Sequence, residues 1–139
     1  EFIMTLDGKP SMLAGNTKLI AKIRACARRA GQYQITQNTF GQNVETYDNI
    51  PLVDLGAKPG TNDPVVSVDN TTGETSLYAV RFGLDGFHAL APTGVPLIKT
   101  WLPDFTTSGA VKTGEVEMLA AVALKATKAA GVFRKIKVK

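Results

Sequence analysis

A chain of 139 residues, 44% hydrophobic and 20% charged, has enough apolar mass for one cored domain and is not of the disordered, highly charged class. No run nears the roughly 18 uninterrupted apolar residues of a membrane-spanning helix, and no basic-then-apolar secretory signal opens the chain. The formal net charge of +4 is unevenly laid out: residues 16–30 carry five bases and no acid, residues 125–139 carry six bases and no acid, and the rest holds five bases against twelve acids. Such segregation suits binding to copies of the same chain, or a polyanion facing one side.

Residues 1–6 read as the end of a helix, broken by Asp7-Gly8-Lys9-Pro10, and an opening of Glu1-Phe2-Ile3-Met4 rather than Met is expected of a fragment. Ser11-Met12-Leu13-Ala14 reads as a short buried strand. Asn16 is a candidate N-cap, and Leu19, Ile20, Ile23, Ala27 and Ala30 recur at helical spacing, which predicts a helix over 16–30 stopped by Gly31. Arg28 and Arg29 in its last turn suit the negative end of the helix dipole. Val44–Tyr47 alternates, Asp48-Asn49 turns, and Ile50–Leu55 returns, so the stretch predicts a hairpin with Pro51 at a strand start or an edge. Residues 56–74, rich in Gly, Pro, Asn, Asp and Thr, predict a long surface loop. Strands are expected at 76–82, 87–90 and 95–102.

Residues 115–130 carry two signals. Their composition favours helix, whereas Val116, Met118, Ala120, Val122, Leu124 and Ala126 fall on every second position, as a strand requires. Gly131 interrupts the stretch, and residues 136–139 alternate as a strand does.

Chemistry-bearing residues are sparse. Cys26 is the single cysteine and reads as a small buried residue on the helix; with His88 the single histidine, the two cannot make a zinc site without carboxylates at a spacing that is lacking. His88, between Phe87 and Ala89, reads as structural, and there is no Gly-x-Ser-x-Gly elbow. Gly83-Leu84-Asp85-Gly86 lacks the third Gly and the Lys-Ser/Thr of a phosphate loop and reads as a turn. Glu115 and Glu117 would share one strand face, as a hydrated surface more than an acid–base pair. Asn70-Thr71-Thr72 matches a glycosylation acceptor but reads as loop composition. No catalytic, cofactor-binding or metal-binding residue is assigned, no cofactor is expected, and the chain is expected not to be an enzyme. The two basic segments could form one patch, although the aromatics show no ribonucleoprotein-type strand motif.

In order along the chain, Pro10-Ser11-Met12-Leu13-Ala14-Gly15-Asn16-Thr17, the helix that follows, Asn49-Ile50-Pro51-Leu52-Val53, Leu102-Pro103-Asp104 and the 109–118 segment resemble the C-terminal half of a tailed-phage major capsid protein of the HK97 type. The likeness spans most of residues 10–139. It implies an α+β fold: a mixed sheet with a flanking helix in an axial domain over 10–105, and the C-terminal part of a peripheral domain over 106–139, with 1–9 closing a helix from a missing N-terminal part. It also implies one long strand over 115–126 and a short helical turn near 127–134. The function implied is structural: self-assembly into the icosahedral shell of a tailed bacteriophage or prophage, as pentamers and hexamers of copies of itself. Scaffold protein or packaged DNA, bound non-specifically, would be further partners, with no membrane. Its place would be the virion, reached through the bacterial host cytoplasm. An encapsulin-like cellular compartment shell and a small basic nucleic-acid-binding domain are the alternative readings.

Overall fold

The computed structural model describes residues 1–31, 34–37, 40–106 and 108–139. The chain is α+β, with one α-helix and ten strands among the described residues, and it divides into two compact units: 1–87 with 124–139, and 88–123.

The first unit is built on a six-stranded mixed sheet. Its strands are β1 (Met12–Gly15), β2 (Gln34–Gln37), β3 (Asn43–Tyr47), β4 (Ile50–Asp54), β5 (Glu74–Val80) and the C-terminal β10 (Ala130–Lys137), in the spatial order β10-β5-β1-β4-β3-β2. β1 and β4 run parallel with Leu13 opposite Leu52, a pairing that needs a crossover, and helix α1 (Thr17–Arg29) lies on that path. Asn16 caps the helix: its side-chain oxygen accepts from the Lys18 backbone N–H at 2.9 Å, while its amide nitrogen donates to the Val66 carbonyl at 2.8 Å. Leu19 and Ile20, on the buried face of α1, meet the sheet, and the core gathers Leu13, Leu19, Ile50, Leu77, Ala79 and Val138. Ile50 is fully buried beside a tight turn in which Asp48 and Asn49 both take left-handed backbone angles, φ 52° and 58°. That turn closes the β3–β4 hairpin, with Tyr47 opposite Ile50.

Several expectations are corrected. Residues 115–126 form not one strand but two, β8 (Glu115–Met118) and β9 (Ala121–Leu124), because they pair with different partners, β8 with β7 (Ile98–Trp101) and β9 with β6 (Phe87–Leu90). The strand expected over 95–102 is confined to β7, after Pro96, which has no N–H to give to a ladder. The helical turn near 127–134 is a single 3-10 turn, Thr127–Ala129, and β10 starts at once, with Ala130 opposite Val80 and Gly131 opposite Ala79. Gly131 does not interrupt the strand. A Cβ there would lie 2.6 Å from Leu6 Cδ2, so the missing side chain lets the N-terminal 3-10 turn, Phe2–Thr5, and its successor Leu6 close over β10. Cys26 is exposed on α1, not buried. β2 was not foreseen, since Ile35 is the only apolar residue in Gln34–Gln37 and is itself half exposed. Apart from these corrections, position 105 lies inside the second unit and β10 belongs to the sheet of the first.

Candidate assembly surface

Each residue singled out for chemistry has a structural place. His88 lies half-buried on β6. Gly83–Gly86 is a turn, with the Gly86 N–H donating to the Gly83 carbonyl at 3.0 Å and the Phe87 N–H donating to the Arg81 carbonyl at 3.0 Å. The Arg81 guanidinium holds Asp85 at 2.9 Å and keeps that carboxyl below its ordinary range. Asp69 caps the 70–72 turn: its carboxylate accepts from the backbone N–H of Thr71 at 2.7 Å and of Thr72 at 3.3 Å, and these bonds lower its pKa. No group of three or more His, Cys, Asp or Glu side chains is arranged to hold a metal among the described residues. Nor is any helix among them long and apolar enough to cross a membrane.

Two surfaces stand out instead. The first is an apolar groove of about 370 Å3 on the first unit, where α1 runs beside the ends of β3 and β10. Leu19, Ile23, Cys26, Ala27 and Ala30 from the helix, with Tyr47 and Ile136 from the sheet, supply its walls, and among the described residues the only charged ones lining it are Lys22 and Lys137. The Lys22 ammonium reaches the Lys137 carbonyl at 3.5 Å, the outer limit of a hydrogen bond, so the two basic segments lie side by side here. Arg24, also on α1, is taken up by Glu45 of β3 at 2.8 Å, which clamps the helix to the hairpin. A smaller groove of about 240 Å3 shares Ile23 and Tyr47 and continues towards Phe2, Leu52, Leu77 and Phe133.

The second surface is the ribbon of β7 and β8. Lys99 stands opposite Glu117 and Trp101 opposite Glu115 on one face; Ile98 opposite Met118 and Thr100 opposite Val116 make the other. Glu115 and Glu117 do share a face, as their spacing predicts, with Trp101 and Lys99 across from them. The ladder continues through the Leu119 N–H to the Leu97 carbonyl at 3.2 Å. None of the described residues of 88–123 is buried, and Trp101 (50% exposed), Ile98 (56%), Met118 (63%) and Val116 (73%) all face water. Sequence reasoning found the bases of the first surface. It missed the groove, whose walls come from α1, Tyr47 and Ile136.

No family model matches the chain, and no curated protein matches it in sequence. Among solved structures it is similar to a chain of the holo-SrpI encapsulin complex from Synechococcus elongatus PCC 7942, determined by cryo-electron microscopy: the TM-score is 0.69 at 18% identity, over 98% of this chain and 47% of that one. The chain thus spans about half the length of that neighbour. The likeness shows a shared fold, of the HK97 type, with the mixed sheet and flanking helix that the sequence resemblance implies.

Proposed function

We propose that this chain is part of the subunit of a self-assembling protein shell and carries out no catalytic step. The observation that supports this best is the fold shared with an encapsulin over 98% of the chain. The surface chemistry agrees with it. A ribbon with no buried residue and a cation-rimmed apolar groove are features of a protomer whose surfaces are completed by neighbours.

Within that reading we favour a compartment shell of the encapsulin kind, since the structural likeness is to an encapsulin; the tailed-phage capsid implied by the sequence motifs is the second reading. Electron microscopy of the full-length protein carrying these residues, expressed alone, tests the proposal. Closed shells or capsomer rings are expected. A monodisperse monomer at every concentration overturns it, and DNA binding that weakens steeply with salt would then favour a basic nucleic-acid-binding domain. Nuclease-protected DNA inside shells would favour the phage reading over the compartment.

A further inference from the structure

Two surfaces of this chain are incomplete by themselves, and their chemistry is complementary. The groove beside α1 is apolar, and the charge at its edge is positive, from Lys22 and Lys137, with no acid in its lining among the described residues. One face of the β7–β8 ribbon carries Leu97 beside Leu119 at one end, Lys99 opposite Glu117 in the middle and Trp101 opposite Glu115 at the other end, so two carboxylates stand against one lysine. An isolated two-stranded ribbon is marginal in water and gains independent stability only against a third strand or another packed surface. A groove of this size, in turn, falls in the range that buries a few large side chains.

We infer that the groove formed by α1, Tyr47 and Ile136 is the docking site for the Trp101–Glu115–Glu117 face of the β7–β8 ribbon of a second copy of this chain. The inference rests on the shell reading above and deepens it by naming the pair of surfaces. The contact is heterologous, one patch against a different patch, which is the kind that closes into rings of copies. Apolar side chains of the ribbon enter the groove, and the two glutamates meet the two lysines at its rim. Charge complementarity then fixes which edge of the ribbon lies where, and disfavours groove-to-groove pairing, in which lysines would face lysines.

Cys26 lines the groove and is exposed, so its thiol reports whether the groove is occupied. The experiment follows maleimide modification of the Cys26 peptide by mass spectrometry in the full-length protein, across concentrations that span its self-association. Occupancy is expected to slow modification by roughly tenfold once most copies are engaged. Lys22→Glu with Lys137→Glu in one preparation, and Glu115→Lys with Glu117→Lys in another, are each expected to weaken association by roughly tenfold or more and to leave Cys26 reactive. Mixing the two preparations restores both association and protection, which also shows that each variant is folded. Shells or rings in which Cys26 reacts as fast as in the monomer overturn the inference and leave the shell reading standing. Failure of the mixture to restore association also overturns it, because the groove and ribbon are then not partners. A protein that never associates removes the shell reading, and the inference with it.

Discussion

Asn16 shows how much one side chain can carry in this fold. It is buried, and it is bonded at both ends of its amide: the oxygen satisfies the Lys18 N–H at the start of α1, and the nitrogen satisfies the Val66 carbonyl from the long 56–74 loop. Asn16→Ala removes the cap and also leaves a carbonyl without its donor, so a loss of about 2–3 kcal/mol is expected in denaturant unfolding. Asn16→Asp keeps the acceptor for the cap but sets a carboxylate against the Val66 carbonyl. If it unfolds as easily as the alanine variant, the tie to the loop is the larger part; if it matches the native chain, the cap alone matters. Gly86 and Gly131 make a second comparison. A Cβ on Gly86 would stand 2.5 Å from the Arg81 backbone carbonyl, whereas one on Gly131 would meet the mobile end of Leu6 at 2.6 Å. Backbone cannot step aside as a side chain can, so Gly86→Ala is expected to cost about 2–3 kcal/mol and Gly131→Ala about 1 kcal/mol, read from the same unfolding curves. Asp69 makes a pH prediction. Its folded pKa is lowered by the Thr71 and Thr72 N–H groups, so its contribution to stability is present above the ordinary carboxylate pKa and is lost as pH falls through its folded value. An NMR titration of its carboxyl carbon with a midpoint at or above the ordinary carboxylate value would contradict that turn.

At the scale of elements, the two units differ in how their strands are held. β1 and β5 lie inside a six-stranded sheet and carry Leu13, Leu77 and Ala79 of the core, so their amides open only with the whole unit. Among the described residues β7 and β8 have one partner each and no buried residue, so their amides are expected to exchange at least a hundredfold faster in the unassembled protein. Equal protection in both sheets would show that the ribbon is supported by something other than its own ladder. The same contrast explains what could be read from the sequence. The helix and the β3–β4 turn were legible because their signals are local: a cap, a 3.6-residue spacing, and Asp48-Asn49 between two alternating runs. The division of 115–126 was not, because alternation states only that a segment is extended and says nothing about which strand it joins. β2 gave no signal, since a strand with one apolar residue has no pattern. The groove was beyond reach for a similar reason, as Lys22 and Lys137 meet across 115 residues.

For the whole molecule, under the proposed shell function, the segregation of charge bears on how copies find each other. The bases of α1 and of the C-terminal segment leave a deficit of positive charge over the rest of the chain, five against twelve acids, so two copies attract in one relative orientation and repel in others. Such steering acts at long range through solvent and is screened once the Debye length falls from about 10 Å at 0.1 M salt to about 3 Å at 1 M. The apolar part of a contact, such as a filled groove, acts only on contact and is not weakened by salt in that way. The rate of assembly and the persistence of what is assembled should therefore respond differently. Light scattering after dilution into buffers from about 0.05 M to about 1 M salt is expected to show initial assembly slowing by roughly tenfold or more, with the disassembly rate of finished shells changing much less. Assembly that instead accelerates with salt would mean that copies of the chain repel on approach, and the segregated charge would then have to face a partner other than itself.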